Sequence, residues 1–172
     1  MTEARIWKTD GFVDNDPWQL IDADAPLNLS DDRRLIVALE RYLELSDEIR
    51  QHAGRIGVQV LPADDVSRLA PHLSDLPLIA VTFPAFNDGR AYSQASLLRA
   101  RHGFRGEIRA VGDVLIDQVA LMLRCGIDSF AVSNPVALKR LAEGRLPGID
   151  THYQPATKPA RAVGTFSWRH AS

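Results

Sequence analysis

From residue 55 onward the chain alternates apolar runs of strand length with segments of helical period. RIGVQVL, PLIAVTF, EIRAVG and IDSFAV each read as a short strand, and PLIAVTF, apolar and β-branched, as a buried one. Between them, ADDVSRLAPHL predicts a short helix with acidic residues in its first turn. A second helix is predicted over 91–102, and VLIDQVALMLRC is a third, with Gly126 placed as its C-terminal stop. PVALKRLAEG is the fourth, with Pro135 in its first turn. Strands that alternate with helices imply crossover connections and a mainly parallel sheet. An open doubly wound sheet and a half-barrel of β/α units both satisfy this pattern.

The N-terminal part is less regular. ARIWKTDGFVDNDPW reads as a β-hairpin turning at Asp10-Gly11. In LNLSDDRRLIVALERYLEL, Ser30 or Asp31 could cap a helix carrying Leu35, Ile36, Leu39, Tyr42 and Leu43 at helical spacing. The rival reading keeps RLIVA as a strand and starts the helix near Leu39, and a run this short decides for neither. The expected organisation is one α/β domain over residues 1–150 and an extended C-terminal arm over 151–172. Tyr153, Phe166 and Trp168 in that arm could dock on a neighbouring subunit of a homo-oligomer, although a flexible arm is the simpler reading.

Bulk properties remove several classes. With 45% hydrophobic and 24% charged residues, the 172-residue chain has the balance of a soluble globular protein with a real core. No apolar run of membrane-spanning length occurs, and MTEARIWKTDG lacks the pattern of a secretory signal, so a cytoplasmic protein is expected. The lone Cys125 excludes an internal disulfide. Charge is unevenly spread: residues 1–85 hold 15 acidic and 8 basic side chains, and residues 86–172 hold 7 and 12. An acidic half argues against a nucleic-acid binder but leaves room for a small-anion site or an acidic partner.

Ligands of parallel α/β folds collect at the carboxyl ends of strands. That rule selects FPAFNDGRAYSQ after PLIAVTF, Gly112-Asp113 after EIRAV, and Ser133-Asn134 after SFAV. If these strands lie side by side, Asp88, Arg90, Asp113 and Asn134 approach one another. Asp88 could cap the following helix, Gly89 would ease the turn, and Arg90 would stand at a helix start able to hold an anion, with hydroxyls from Tyr92 and Ser93. A capped turn with an Arg–Asp surface pair explains the same residues. Arg99, Arg101, Arg105 and Arg109 follow, with Arg90 making five arginines in twenty residues, suited to sulfate, phosphate or an acidic protein surface. Solvated charge is the plainer account, and helical geometry keeps them from sharing one face. Asp113 is the candidate acid or base, and Cys125, beside Arg124, the candidate redox thiol.

The five histidines lack metal-ligand spacing, and no dinucleotide, P-loop, serine-hydrolase or paired-cysteine motif occurs. Nicotinamide and cysteine-bound iron–sulfur sites therefore have no support. A flavin stays open, since many flavin sites have no short signature.

The stretch FPAFNDGRAYSQASLLRARHGFRGEIRAVGDVLIDQVALMLRCGID resembles a bacterial family of unknown function associated with assimilatory sulfite reduction. The shared pattern runs FPxFxDGRxYSxAxLLR, GxxGExRAxGDVxxDQ and RCGFD, with RIGVQVLPADD and PLIAVTF extending it upstream. Ile127 stands where the family has Phe, a conservative apolar change. The resemblance implies an oxidoreductase-type or accessory role beside the sulfite reductase haemoprotein, but assigns no residue a role. The alternative is an independent enzyme binding a small phosphorylated or sulfated compound. Whether any reaction is catalysed stays open.

Overall fold

The computed structural model describes residues 4–28, 32–45, 52–85 and 87–144, so the expected arm and the expected caps Ser30 and Asp31 lie outside the described residues. Eight strands form one sheet: β1 (Arg5–Lys8), β2 (Gly11–Phe12), β3 (Trp18–Leu20), β4 (Arg34–Ala38), β5 (Ile56–Val60), β6 (Leu78–Phe83), β7 (Glu107–Gly112) and β8 (Ser129–Val132). Their order is β2-β1-β8-β7-β6-β5-β4-β3. The six strands β3 to β8 are thus parallel and in chain order, and β1 and β2 close one edge antiparallel. This is a half-barrel, one of the two architectures the alternation allowed.

Chain order decides where the helices go. Each right-handed crossover that advances the sheet in the same direction must lie on the same face. Helices α1 (Leu39–Glu44), α2 (Arg90–Ala100), α3 (Ile116–Arg124) and α4 (Pro135–Ala142) accordingly share one core with a 3₁₀ segment, Val66–His72. Into that core the sheet sends Val37, Val58, Ile79, Val81, Ile108, Ala110 and Phe130, all buried. The alternate residues point to the other, concave face, which no described helix covers. There only Ile36, Leu78, Ala80 and Val111 form a small cluster, joined by Trp18 and Ala131.

The ambiguous N-terminal segment resolves against the helical spacing. Leu35, Ile36 and Val37 are all buried, and β4 pairs with β3 on one side and β5 on the other. A surface helix cannot bury three consecutive residues, whereas a central strand does so on its two faces. Helix α1 therefore begins only at Leu39. Strand β3 begins at Trp18, the last residue of the stretch read as a hairpin. It has three residues and one neighbour, and its pairing partner is sixteen residues away, beyond the reach of a local pattern.

Close approach favours glycine at position 57 and requires it at 112. Gly57 faces the concave side, where an added Cβ would stand 3.2 Å from the Trp18 ring. Gly112 ends β7 at φ +93°, and its added Cβ would fall 2.3 Å from the Phe83 carbonyl oxygen. That contact comes with a hydrogen bond from Asp113 N to the same oxygen at 2.7 Å, which joins the carboxyl ends of β6 and β7. Gly112→Ala combines a disfavoured backbone with a backbone clash. It is expected to destabilise the protein by about 2–4 kcal/mol in urea unfolding.

Candidate functional site

Strand β7 explains the site's chemistry. Its period of two turns Ile108 and Ala110 into the helix-side core and Glu107, Arg109 and Val111 onto the concave face. Neighbouring registers add Ser129 and Ala131 from β8 and Ile6 and Lys8 from β1. The β2–β3 connection runs across this face and contributes Asn15 and Asp16, Asn15 in the left-handed region at φ 57°. Of these, Ile6, Asn15, Asp16, Arg109, Val111 and Ala131 line a cavity of about 560 Å³. Ile6, Ile36, Val111 and Ala131 are among its apolar wall, Trp18 lies over one side, and Gly112 and Ser133 reach it from the carboxyl ends of β7 and β8. A mostly apolar hollow with a few convergent polar groups is the usual form of a small-molecule site.

At the base of the cavity, Arg109 is 2% exposed. Its two terminal nitrogens donate to Asp16 Oδ2 at 2.7 Å and Oδ1 at 2.9 Å. Glu107 Oε1 accepts from Arg109 Nη2 at 2.8 Å and from Ser129 Oγ at 2.7 Å, and Glu107 Oε2 accepts from Lys8 Nζ at 2.7 Å. Two cations and two carboxylates balance, so the burial is tolerated. Burial pushes the Glu107 carboxyl up, but the hydrogen bonds from Lys8 and Ser129 and the charge of Arg109 outweigh it and hold the group below the usual carboxylate range. Arg109, expected as an anion ligand, is thus saturated by the protein's own carboxylates and ties the loop at Asp16 to the sheet.

The carboxyl-end junctions lie in the order expected, because β6, β7 and β8 are neighbours. Asp88 and Arg90 follow β6, Asp113 follows β7 and Asn134 follows β8. Their side chains have separate occupations. Arg90 donates to Asp88 from Nε at 3.0 Å and Nη2 at 2.6 Å, an exposed pair that holds the Asp88 carboxyl below its ordinary range. Gly89 is the N-cap of α2, and Asp88 Oδ1 accepts from Arg90 N at 3.2 Å, so Asp88 supports the helix start from one position earlier. Asn134 caps α4 by accepting from Val136 N at 3.0 Å and Ala137 N at 3.1 Å. Ser93 and Asp113 are exposed. Tyr92 packs its ring on Phe83, centroids 5.0 Å apart, and its buried hydroxyl has no hydrogen-bond partner among the described residues. At this same end Gln59 donates to Thr82 at 3.1 Å. Both belong to the concave set of alternating residues, which sequence reasoning passed over.

Two candidates lie away from this end. Arg99 donates to the carbonyls of Gly126 at 2.9 Å, Phe104 at 2.6 Å and Gly106 at 2.9 Å, and to the Asp128 carboxylate. It clamps the end of α2 to the starts of β7 and β8. Cys125 follows α3, half-buried, and burial raises its thiol pKa despite a hydrogen bond with Ser96 and the charge of Arg124. A thiol so placed is protonated at neutral pH and is a poor nucleophile. Among the described residues no group of three His, Cys, Asp or Glu side chains is arranged to hold a metal ion, and no helix is long and apolar enough to cross a membrane.

Sequence reasoning missed Asp16, Glu107, Ser129, Lys8 and Trp18. One signal was available: EIRAVG places Glu107 and Arg109 on one face of a strand whose other face is apolar, and a charged pair inside such a strand demands partners.

Arg109→Met leaves Asp16 and Glu107 without their shared cation. It is expected to cost about 3–5 kcal/mol at neutral pH in urea unfolding. Because Glu107 has a lowered folded pKa, its contribution is complete above the usual carboxylate range and is lost as pH falls through the lowered value. The gap between wild type and Arg109→Met should therefore narrow on acidification. Cys125 should react slowly with iodoacetamide at pH 7 and faster as pH rises past the ordinary thiol range, measured by mass spectrometry.

No curated protein matches the chain. A family model does, over residues 57–163, from Gly57 in β5 through β8 and α4 and beyond. The match includes Arg109, Val111, Ala131 and Ser133 on the cavity wall, whereas Ile6, Asp16, Trp18 and Ile36 precede it. The chain thus belongs to a bacterial protein family of unknown function, the one designated DUF934.

Proposed function

We propose that this protein is an accessory component of sulfite reduction that works beside the sulfite reductase haemoprotein and uses the concave cavity as its binding site. The association with sulfite reduction comes from the resemblance carried by the DGR, GDV and RCG motifs. The geometry bears on the kind of role. The observation that carries the reading is the cavity itself: about 560 Å³ on the uncovered face of the half-barrel, with Gly112 and Ser133 at the carboxyl ends of its strands. This is a place to hold a small molecule. Cys125, the redox candidate, has its thiol raised by burial and does not line the cavity. Binding or delivery is therefore favoured over thiol-based electron transfer.

One observation favours a second reading, an independent enzyme acting on a small phosphorylated or sulfated compound. Asp113 is exposed and immediately follows Gly112 of the cavity wall, where a carboxylate could act as acid or base on a bound molecule. In that case Asp113→Asn would abolish turnover and leave binding intact.

The test is the rate of sulfite reduction by the haemoprotein at limiting reductant, with and without this protein. A rise that saturates at a fixed stoichiometry is expected, and Ser133→Trp, which places an indole at the exposed rim, should remove it with the fold intact by circular dichroism. No change with an otherwise active haemoprotein would overturn the accessory role. Saturable thermal stabilisation by a sulfated or phosphorylated compound alone would then favour the enzyme.

A further inference from the structure

The arginines of LLRARHGFRGEIR are alike in sequence, and the fold separates them. Arg99 and Arg109 turn inward onto acceptors. Arg101 and Arg105 lie exposed between α2 and β7, and neither is ion-paired with a described carboxylate. They are joined there by arginines from distant sequence. Because β3 to β8 are parallel, every one of these strands begins at the same end of the sheet. Arg34 opens β4, its guanidinium 5.5 Å from the centroid of the Trp18 ring, and Arg55 immediately precedes β5, its side chain donating to the Arg33 carbonyl at 3.2 Å. Neither has an ion-pair partner among the described residues. With strands about 4.8 Å apart, a row from β4 to β7 spans about 15 Å.

The opposite end carries several aspartates. Asp22 and Asp24 follow β3, Asp64 follows β5 and Asp113 follows β7. That end is mixed in sign, since Arg5, opposite Val132 of β8, and Arg90, after β6, stand there too. Arg34, Arg55, Arg101 and Arg105 make no ion pair with a described carboxylate, which leaves their charge to something beyond the described residues.

We propose that the row Arg34, Arg55, Arg101 and Arg105 is a docking surface for an acidic protein surface, at the end of the half-barrel opposite Gly112 and Ser133. Arginine suits this role because its planar fork pairs two-pronged with carboxylates and is weakly hydrated. A nucleic acid fits less well: Asp32 and Asp75 stand on the same edge and would face phosphates. A protein surface with carboxylates and a few amines matches this mixed pattern, and complementary charge would steer its approach. A partner docked here leaves the carboxyl-end rim of the cavity uncovered. Naming the haemoprotein as that partner rests on the accessory reading; the charge of the surface does not.

The experiment measures binding of the full chain to purified haemoprotein, to poly-L-glutamate and to duplex DNA, at low and at physiological salt. Binding to haemoprotein and polyglutamate is expected, weakening with salt. Arg101→Glu with Arg105→Glu should weaken both about tenfold or more, while Arg101→Lys with Arg105→Lys retains most of the affinity. Equal binding of the haemoprotein by wild type and the double glutamate variant would overturn the surface, as would preference for DNA over polyglutamate. Charge-dependent binding of polyglutamate with no binding of the haemoprotein would support the surface and overturn the accessory reading instead.

Discussion

A buried guanidinium organises the concave side of this protein. Arg109 lies in the middle of a strand whose other face is packed apolar core, and a charge there is tolerable only if partners come to it. They come from three directions: Glu107 from the same strand, Ser129 from β8, and Asp16 from the loop that precedes β3. Lys8 of β1 completes the cluster through Glu107. The network thereby fastens the N-terminal segment onto the strands that the family model covers. Without that loop, the cavity would lose the wall that Asn15 and Asp16 provide.

The two faces of the sheet divide the work of the fold. Sequential parallel strands with crossovers of one hand put all the helices on one side, and that side carries most of the buried apolar surface. The concave side is released from that duty. It can hold a small apolar cluster, an ion network and a cavity because stability is secured elsewhere. Gly57 belongs to the same arrangement: its missing Cβ leaves room for the Trp18 ring, over which the Arg34 guanidinium lies.

Parallel strands also sort charge. Each strand presents its leading residues at one end and its trailing residues at the other, whatever their separation in the chain. Arg34, Arg55, Arg101 and Arg105 are brought together where the strands start, whereas Arg90 stands where they end.

The sequence by itself determined the strands and helices from residue 55 to 144, since buried strands and amphipathic helices are written in local periodicity. It also determined the support that Asp88 gives the start of α2, one position before the cap, and the stop at Gly126, because helix ends depend on residues within one turn. Three things were decided only by tertiary structure. RLIVA became a strand because β3 and β5 flank it, and three consecutive burials need two covered faces. The half-barrel was chosen over the open doubly wound sheet by strand order, which no single segment encodes. The fate of each arginine followed from strand direction: Arg109 met Asp16 from ninety-three residues away, Arg99 met Asp128, and Arg101 and Arg105 were left facing solvent. Local conformation is settled by near neighbours, whereas the partner of a charged side chain is settled by whichever distant segment the fold brings beside it.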